Sequence, residues 1–399
     1  MALILASRLN AVAPSLTLEM NARALELKSR GVDVFAFGVG EPDFEPPQSV
    51  LDAAKLAIDK GCSKYTPVAG IPALRAAVCD ATERSRGWRP KPENVCVSVG
   101  AKHALFNLAI ALVEPGDEVV IPKPFWVSYP EQVRMMGGTP VLVDTDESAG
   151  WKLSPRALEK AITPRTKAII LCTPSNPSGT TYAEHELASL VDVVRRHDCW
   201  LIVDEIYGEL IYDGLPYVSV GKIAPDLADR LVVVDGVSKT FAMTGWRIGW
   251  AVGPSPLIKA LDLVQGQSTS NATAVAQHAA IAALKCPPGD FTATRASFQK
   301  RRDAMVSGLA SIPGVRCRTP EGAFYAFADC RGLYGLNWNG KAIASDENVA
   351  LWMLDQAHVA AVPGGAFGAP GYVRFSYAAN EERIAAGIAS IRRAVEASK

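Results

Sequence analysis

The sequence predicts an α/β protein built on a mainly parallel sheet, with a second, smaller α+β domain. Three observations carry this expectation. Short apolar runs rich in β-branched residues recur along the chain, several are separated by helix-like stretches, and the runs do not alternate in polarity. Strands that alternate with helices imply right-handed crossovers and parallel pairing. Strands without polar alternation fit a sheet covered on both faces.

Taken in order, the seven strand-like runs are 95–99, 118–121, 139–143, 167–172, 200–204, 231–235 and 249–252. Together they predict a seven-stranded, mostly parallel sheet. The stretch "EHELASLVDVVRRH" lies between the fourth and fifth runs and reads as a crossover helix. The pattern breaks near "KCPPGD". Beyond it come a charged helical stretch and the β-like segments "GAFYAFADC" and "GYVRFSYA". We expect a large domain over 48–288 and a small domain over 289–399, with residues 1–47 joining the latter.

Composition narrows the function classes. Of 399 residues, 49% are hydrophobic and 21% charged, as in a globular protein with a sizeable core. Lys plus Arg and Asp plus Glu both number 41, so no net charge favours a nucleic-acid or acidic-membrane partner. The eight cysteines form no CxxC and no dense framework, which suits reduced thiols in a cytoplasmic protein. The opening "MALILASRLN" has too short an apolar run for a signal peptide, and no run reaches the length of a membrane span. The five histidines show no metal-ligand spacing.

The residues that follow each strand point to one chemistry. Gly100, Ala101 and Lys102 follow the first run at a helix start, and Trp126 follows the second in "PKPFWVSYP". Asn176 follows the fourth in "TPSNPSG". Asp204 ends the fifth with Tyr207 just beyond, and Ser238 and Lys239 follow the sixth. In open α/β sheets ligands sit outside the carboxyl ends of the strands, so these groups converge on one crevice. An amine, a carboxylate, an amide, a phenol, an aromatic ring and an anion-binding turn suit pyridoxal 5′-phosphate better than a metal or a nucleotide.

The ordered set "TPSNPSG", "VDEIY", "SKTFAMTGWRIGW" and "YVRFSY" resembles the fold-type I aminotransferases, specifically the bacterial branch of the aspartate aminotransferase family. The resemblance runs from "PSLTLEMNARALELKSRGVDVFAFGVGEPDF" to "VPGGAFGAPGYVRFSYA", nearly the whole chain. It implies a homodimeric enzyme that moves an amino group between L-aspartate and 2-oxoglutarate in a ping-pong reaction. Lys239 would join the cofactor aldehyde and then carry the substrate proton, and Asp204 would keep the pyridine nitrogen protonated. Asn176 and Tyr207 would contact the phenolate oxygen, and Trp126 would stack on the ring. Ser238, Arg247 and the backbone of Gly100, Ala101 and Lys102 would hold the phosphate. Tyr65 would reach that phosphate from the neighbouring subunit.

On the substrate side, Arg374 would grip the α-carboxylate as a bidentate fork, helped by the backbone of Gly40 and by Asn176. The stretch "GQSTSNATAVAQ" has no arginine for the distal carboxylate of the substrate. The resemblance assigns that group to Lys102, with Ser15 or Thr17.

Other readings stay open at this point. Aspartate–prephenate, glutamate–prephenate or aromatic amino transfer would use the same set of residues. A C–S lyase or decarboxylase would use the same cofactor, since fold alone does not determine chemistry. A cofactor-binding sensor would need a helix-turn-helix module, which the chain does not show. "LIVDE" lacks the companion Walker A loop, and Ser219-x-x-Lys222 lacks the other elements of a serine acylase.

Overall fold

The structure is a computed structural model that describes residues 6–14 and 16–398. The first strand, β1 (Phe35–Ala36), precedes a large sheet. Among the described residues that sheet has seven strands, namely β2 (Val95–Ser98), β3 (Glu118–Pro122), β4 (Thr139–Val143), β5 (Thr166–Cys172), β6 (Trp200–Asp204), β7 (Leu231–Gly236) and β8 (Gly249–Val252). Each lies within one residue of its expected run. The order is β2-β8-β7-β6-β5-β3-β4, and every pairing is parallel except those of β8, which runs antiparallel to both neighbours.

The lack of polar alternation has a direct cause. Successive residues of the central strands enter different cores. Ile121, Ile170, Ile202 and Val232 pack on one face with Leu105 of helix α4 (Ala101–Leu112). Val120, Leu171, Val203 and Val233 pack on the other with Val191 and Val194 of the crossover helix Glu184–Arg195. Burying one such side chain stabilises the fold by about 1.5–3 kcal/mol, so both faces must be apolar.

The C-terminal part has a four-stranded sheet of order β14-β15-β10-β9. Its strands are β9 (Arg316–Cys317), β10 (Tyr325–Asp329), β14 (Val362–Pro363) and β15 (Tyr372–Ser376). Between them lie the hairpin β11 (Asn337–Trp338) and β12 (Lys341–Ala342), and β13 (Val359–Ala360). The charged stretch after "KCPPGD" forms the helix Thr292–Ala310. Strand β1 pairs with β13, which ties the N-terminal segment to this part. Its core joins Phe298, Trp352 and Phe375 to Ile206, Tyr207 and Tyr212, which follow β6 of the large sheet. The chain just beyond Asp204 is thus held by both parts. No helix among the described residues is long and apolar enough to cross a membrane.

Candidate active site

Sheet register brings the sequence-predicted groups together. Gly249, at the start of β8, pairs with Ser98 on one side and Gly236 on the other. The carboxyl ends of β2 and β7 therefore meet the amino end of β8. Gly100, Ser238, Lys239 and Arg247 all fall at this one edge. Gly100 has φ +84° and begins α4, and a Cβ there would lie 2.6 Å from Arg247 Nη2. Arg247 is itself left-handed at φ +57°, with Nη1 donating to the Thr244 carbonyl at 2.7 Å. A helix N-terminus facing a guanidinium makes an anion cradle.

Asp204 ends β6 and is buried. Its Oδ2 accepts from the Tyr129 hydroxyl at 2.7 Å and its Oδ1 from the Ile206 N–H at 3.2 Å. Burial raises the pKa of this carboxyl, while both donors and the charge of Lys239 oppose that rise. Half-buried Lys239 donates from Nζ to the Gly40 carbonyl at 2.7 Å. Its pKa is pulled down to about 8, first by desolvation and then by the cations Arg374 and Arg247, against Glu41 and Asp204.

Arg374 rises from β15 opposite Phe327 and is buried. Nη1 donates to Asn176 Oδ1 at 2.9 Å and Nη2 to the Gly38 carbonyl at 2.8 Å. The Tyr325 and Phe367 rings lie 4.4 and 4.9 Å from the guanidinium carbon. Nε has no partner among the described residues, so the fork retains a buried donor. The Tyr207 hydroxyl meets the Tyr325 hydroxyl at 2.9 Å. Trp126 stacks edge-on against Tyr129 at 5.3 Å and carries the Lys102 ammonium 5.0 Å from its ring. Desolvation and then Arg247 lower the Lys102 pKa.

Three predicted residues stand apart. Tyr65 is 90% exposed and does not enter the site of its own chain. Ser15 lies outside the described residues. Thr17 has a buried Oγ1 without a partner among the described residues, and it does not line the open cleft that holds Lys102, Glu131 and Arg247. The N-terminal segment does reach that cleft, because the Ala13 N–H donates to Glu131 Oε2 at 2.9 Å.

Sequence reasoning missed Tyr129 and Tyr325. Tyr129 stands three residues after Trp126, one helical turn on, which was a usable signal. Tyr325 sits in "GAFYAFADC", whose period-two pattern marks a strand without marking a contact to Tyr207. Ser219 and Lys222 form no acylase site, since Ser219 is engaged with Trp88 and Glu205. No cluster of His, Cys, Asp or Glu suited to a metal occurs among the described residues.

Sheet order and edge groups define an α/β transferase of fold type I. Residues 32–391 match the aminotransferase class I and II family, and the chain belongs to it. It is 44% identical to the aspartate aminotransferase of Rhizobium meliloti strain 1021, over 96% of this chain and 95% of that protein. It is 45% identical to the aspartate/prephenate aminotransferase of Cereibacter sphaeroides, over 97% and 98% of the two chains. The aspartate aminotransferase of Thermus thermophilus, solved with maleate, superposes with a TM-score of 0.92 at 40% identity, covering 98% of this chain and 100% of that one. The protein is an aminotransferase of amino and oxo acids, and its cofactor is pyridoxal 5′-phosphate. The Gly100–Arg247 cradle, the low-pKa amine and the buried carboxylate fit that group.

Proposed function

We propose that this chain transfers the amino group of L-aspartate to 2-oxoglutarate, with Lys239, Asp204 and Tyr207 as catalytic residues. One observation carries the dicarboxylate preference. The partly desolvated Lys102 ammonium shares an open cleft with Arg247 and forms no salt bridge among the described residues, which leaves it free for an anion. The maleate in the Thermus structure is a dicarboxylate, and relatives named for aspartate match nearly the whole chain. Prephenate is the second reading, supported by the Cereibacter relative, and it too carries two carboxylates.

When bound, the cofactor supplies an aldehyde for an amine and a ring that takes up electrons. Arg247, Ser238 and the α4 N-terminus hold its phosphate, Trp126 covers its ring, and Asn176 and Tyr207 direct donors to its phenolate oxygen. Asp204 holds a negative charge at the pyridine nitrogen. Arg374 and the Gly40 N–H take the substrate α-carboxylate and orient the Cα–H toward Lys239. Lys239, neutral in part near neutral pH, accepts that proton and returns it on the other side of the exchange. Tyr65 completes the cradle of a neighbouring subunit in a homodimer, a role supported by its exposure. The eight free cysteines suit a cytoplasmic location. The domain limits 1–47, 48–288 and 289–399 remain our division of the chain.

The test is a panel of amino donors at saturating cofactor, in the parent protein and in Lys102→Ala. Truncating one partner of a desolvated charge pair costs roughly 2–5 kcal/mol. The variant is expected to lose about 10²–10³ in kcat/KM for aspartate and glutamate, at about 1.4 kcal/mol per decade. Alanine and phenylalanine should be far less affected. An equal loss on all donors would assign Lys102 to the cofactor and remove the support for a dicarboxylate substrate.

A further inference from the structure

"VDEIY" holds two adjacent acids, and the proposed reaction uses the first. Glu205 is fully buried. Its Oε1 accepts from the Ser219 hydroxyl at 2.9 Å and the Val220 N–H at 3.3 Å. Its Oε2 lies 3.4 Å from Nε of Arg86, the last residue of helix α3 (Pro72–Arg86), which follows α1 (Leu16–Ser29) and α2 (Gln48–Asp59). That contact is a charge pairing without a hydrogen bond among the described residues, whereas the other two nitrogens of Arg86 bond two further carboxylates. Nη1 donates to Glu209 Oε1 at 2.7 Å and Nη2 to Asp235 Oδ2 at 2.9 Å.

One buried guanidinium therefore touches three stretches of chain, each tied to the reacting groups. Glu205 follows Asp204. Asp235 lies in β7, four residues before Lys239. Glu209 lies two residues beyond Tyr207. On one side Arg86 is closely packed. Its guanidinium carbon lies 4.6 Å from the Tyr217 ring, and a Cβ on Gly208 would fall 2.6 Å from Nη2. Arg295, 3.6 Å from Glu209, is the other cation paired with these acids among the described residues. Burial pushes Glu205 up to about 7 and Asp235 up to about 6, and Arg86 is the leading influence that opposes the rise at both. A planar fork can serve three directions at once, whereas a lysine ammonium cannot match that geometry.

We propose that Arg86 is a positioning residue for amino transfer, clamping the strand end that carries Asp204 to the one that leads into Lys239. The clamp rests on the roles given above to those two residues. It acts from behind the sheet edge and touches neither substrate nor cofactor. Its effect is on the separation and facing of the acid and the amine, and displacements of about 1 Å in such groups cost on the order of 10²-fold in rate.

The experiment uses the cofactor-loaded enzyme and its apoprotein in two variants, Arg86→Lys and Glu205→Gln. Arg86→Lys keeps the buried charge and loses the fork. Glu205→Gln keeps the side-chain shape and an acceptor for Ser219 and Val220, and loses one strut of the clamp. We expect kcat with aspartate to fall about 10–100-fold, with KM changed by no more than about threefold. The pH midpoint of the bound cofactor's visible absorbance should move, and the apoprotein should bind cofactor more weakly. Wild-type kcat and a wild-type midpoint in folded variants, whatever their Tm, would make Arg86 a stabilising residue and overturn the clamp. If Arg86→Lys does not fold, Glu205→Gln decides by the same readouts. Turnover that survives Lys239→Ala would overturn the catalytic assignment itself, independently of Arg86.

Discussion

Lys239→Ala is expected to keep its fold and bind pyridoxal 5′-phosphate, yet to lose amino transfer by at least about 10²–10⁴-fold, the worth of one positioned acid–base group. Loss of the covalent anchor adds to that figure. The structure supplies the reason. The amine is desolvated, faced by Arg374 and Arg247, and held on the Gly40 carbonyl, and its pKa of about 8 follows. The folded-state value is depressed below that of a free lysine, so the neutral, nucleophilic form grows as pH rises through about 8. Capture of cofactor by the apoprotein, trapped with borohydride and followed by peptide mapping, should therefore label Lys239 with a half-maximal rate near pH 8. A label on another lysine, or a midpoint at the ordinary lysine value, would contradict the assignment.

Asp204→Asn should slow removal of the substrate Cα proton by about 10²-fold or more, equal to about 2.7 kcal/mol of barrier. The amide has nearly the same shape but carries no charge to keep a pyridine nitrogen protonated. Burial already disfavours the Asp204 anion, so a neutral group there should leave Tm unchanged or raise it. That combination, slower chemistry with undiminished stability, separates a functional acid from a structural one. Single-turnover rates with aspartate and a thermal melt measure both. Tyr129→Phe removes one of the two donors that offset burial of the same carboxylate, and the same step should slow by about tenfold. Unchanged single-turnover rates in Asp204→Asn would leave Asp204 with a packing role alone.

Much of this was readable along the chain. Each of the seven strands of the large sheet falls within one residue of an apolar run, because the central strands are buried on both faces and keep their polar residues at or near their ends. Lys239, Asp204 and Asn176 were singled out because each stands at or just past the carboxyl end of a strand, where a parallel sheet gathers its ligands, whereas Arg247 came with the family resemblance.

Other features had no linear signal. The run 249–252 reads the same in either direction, and only pairing with Ser98 and Gly236 sets β8 antiparallel at the centre of the site. Tyr129 meets Asp204 across 75 positions of sequence, Tyr207 meets Tyr325 across 118, and Lys239 reaches Gly40 across 199. Arg86, at the end of its helix, became the hub of three carboxylates only when β6 and β7 lay side by side. The sequence by itself determined the elements, their class and the residue types at the strand ends, because local patterning and backbone preference act over a few residues. Tertiary structure decided which of those groups touch and how far the Lys239 and Asp204 pKa values move, because desolvation and charge pairing depend on neighbours that the chain supplies from far away.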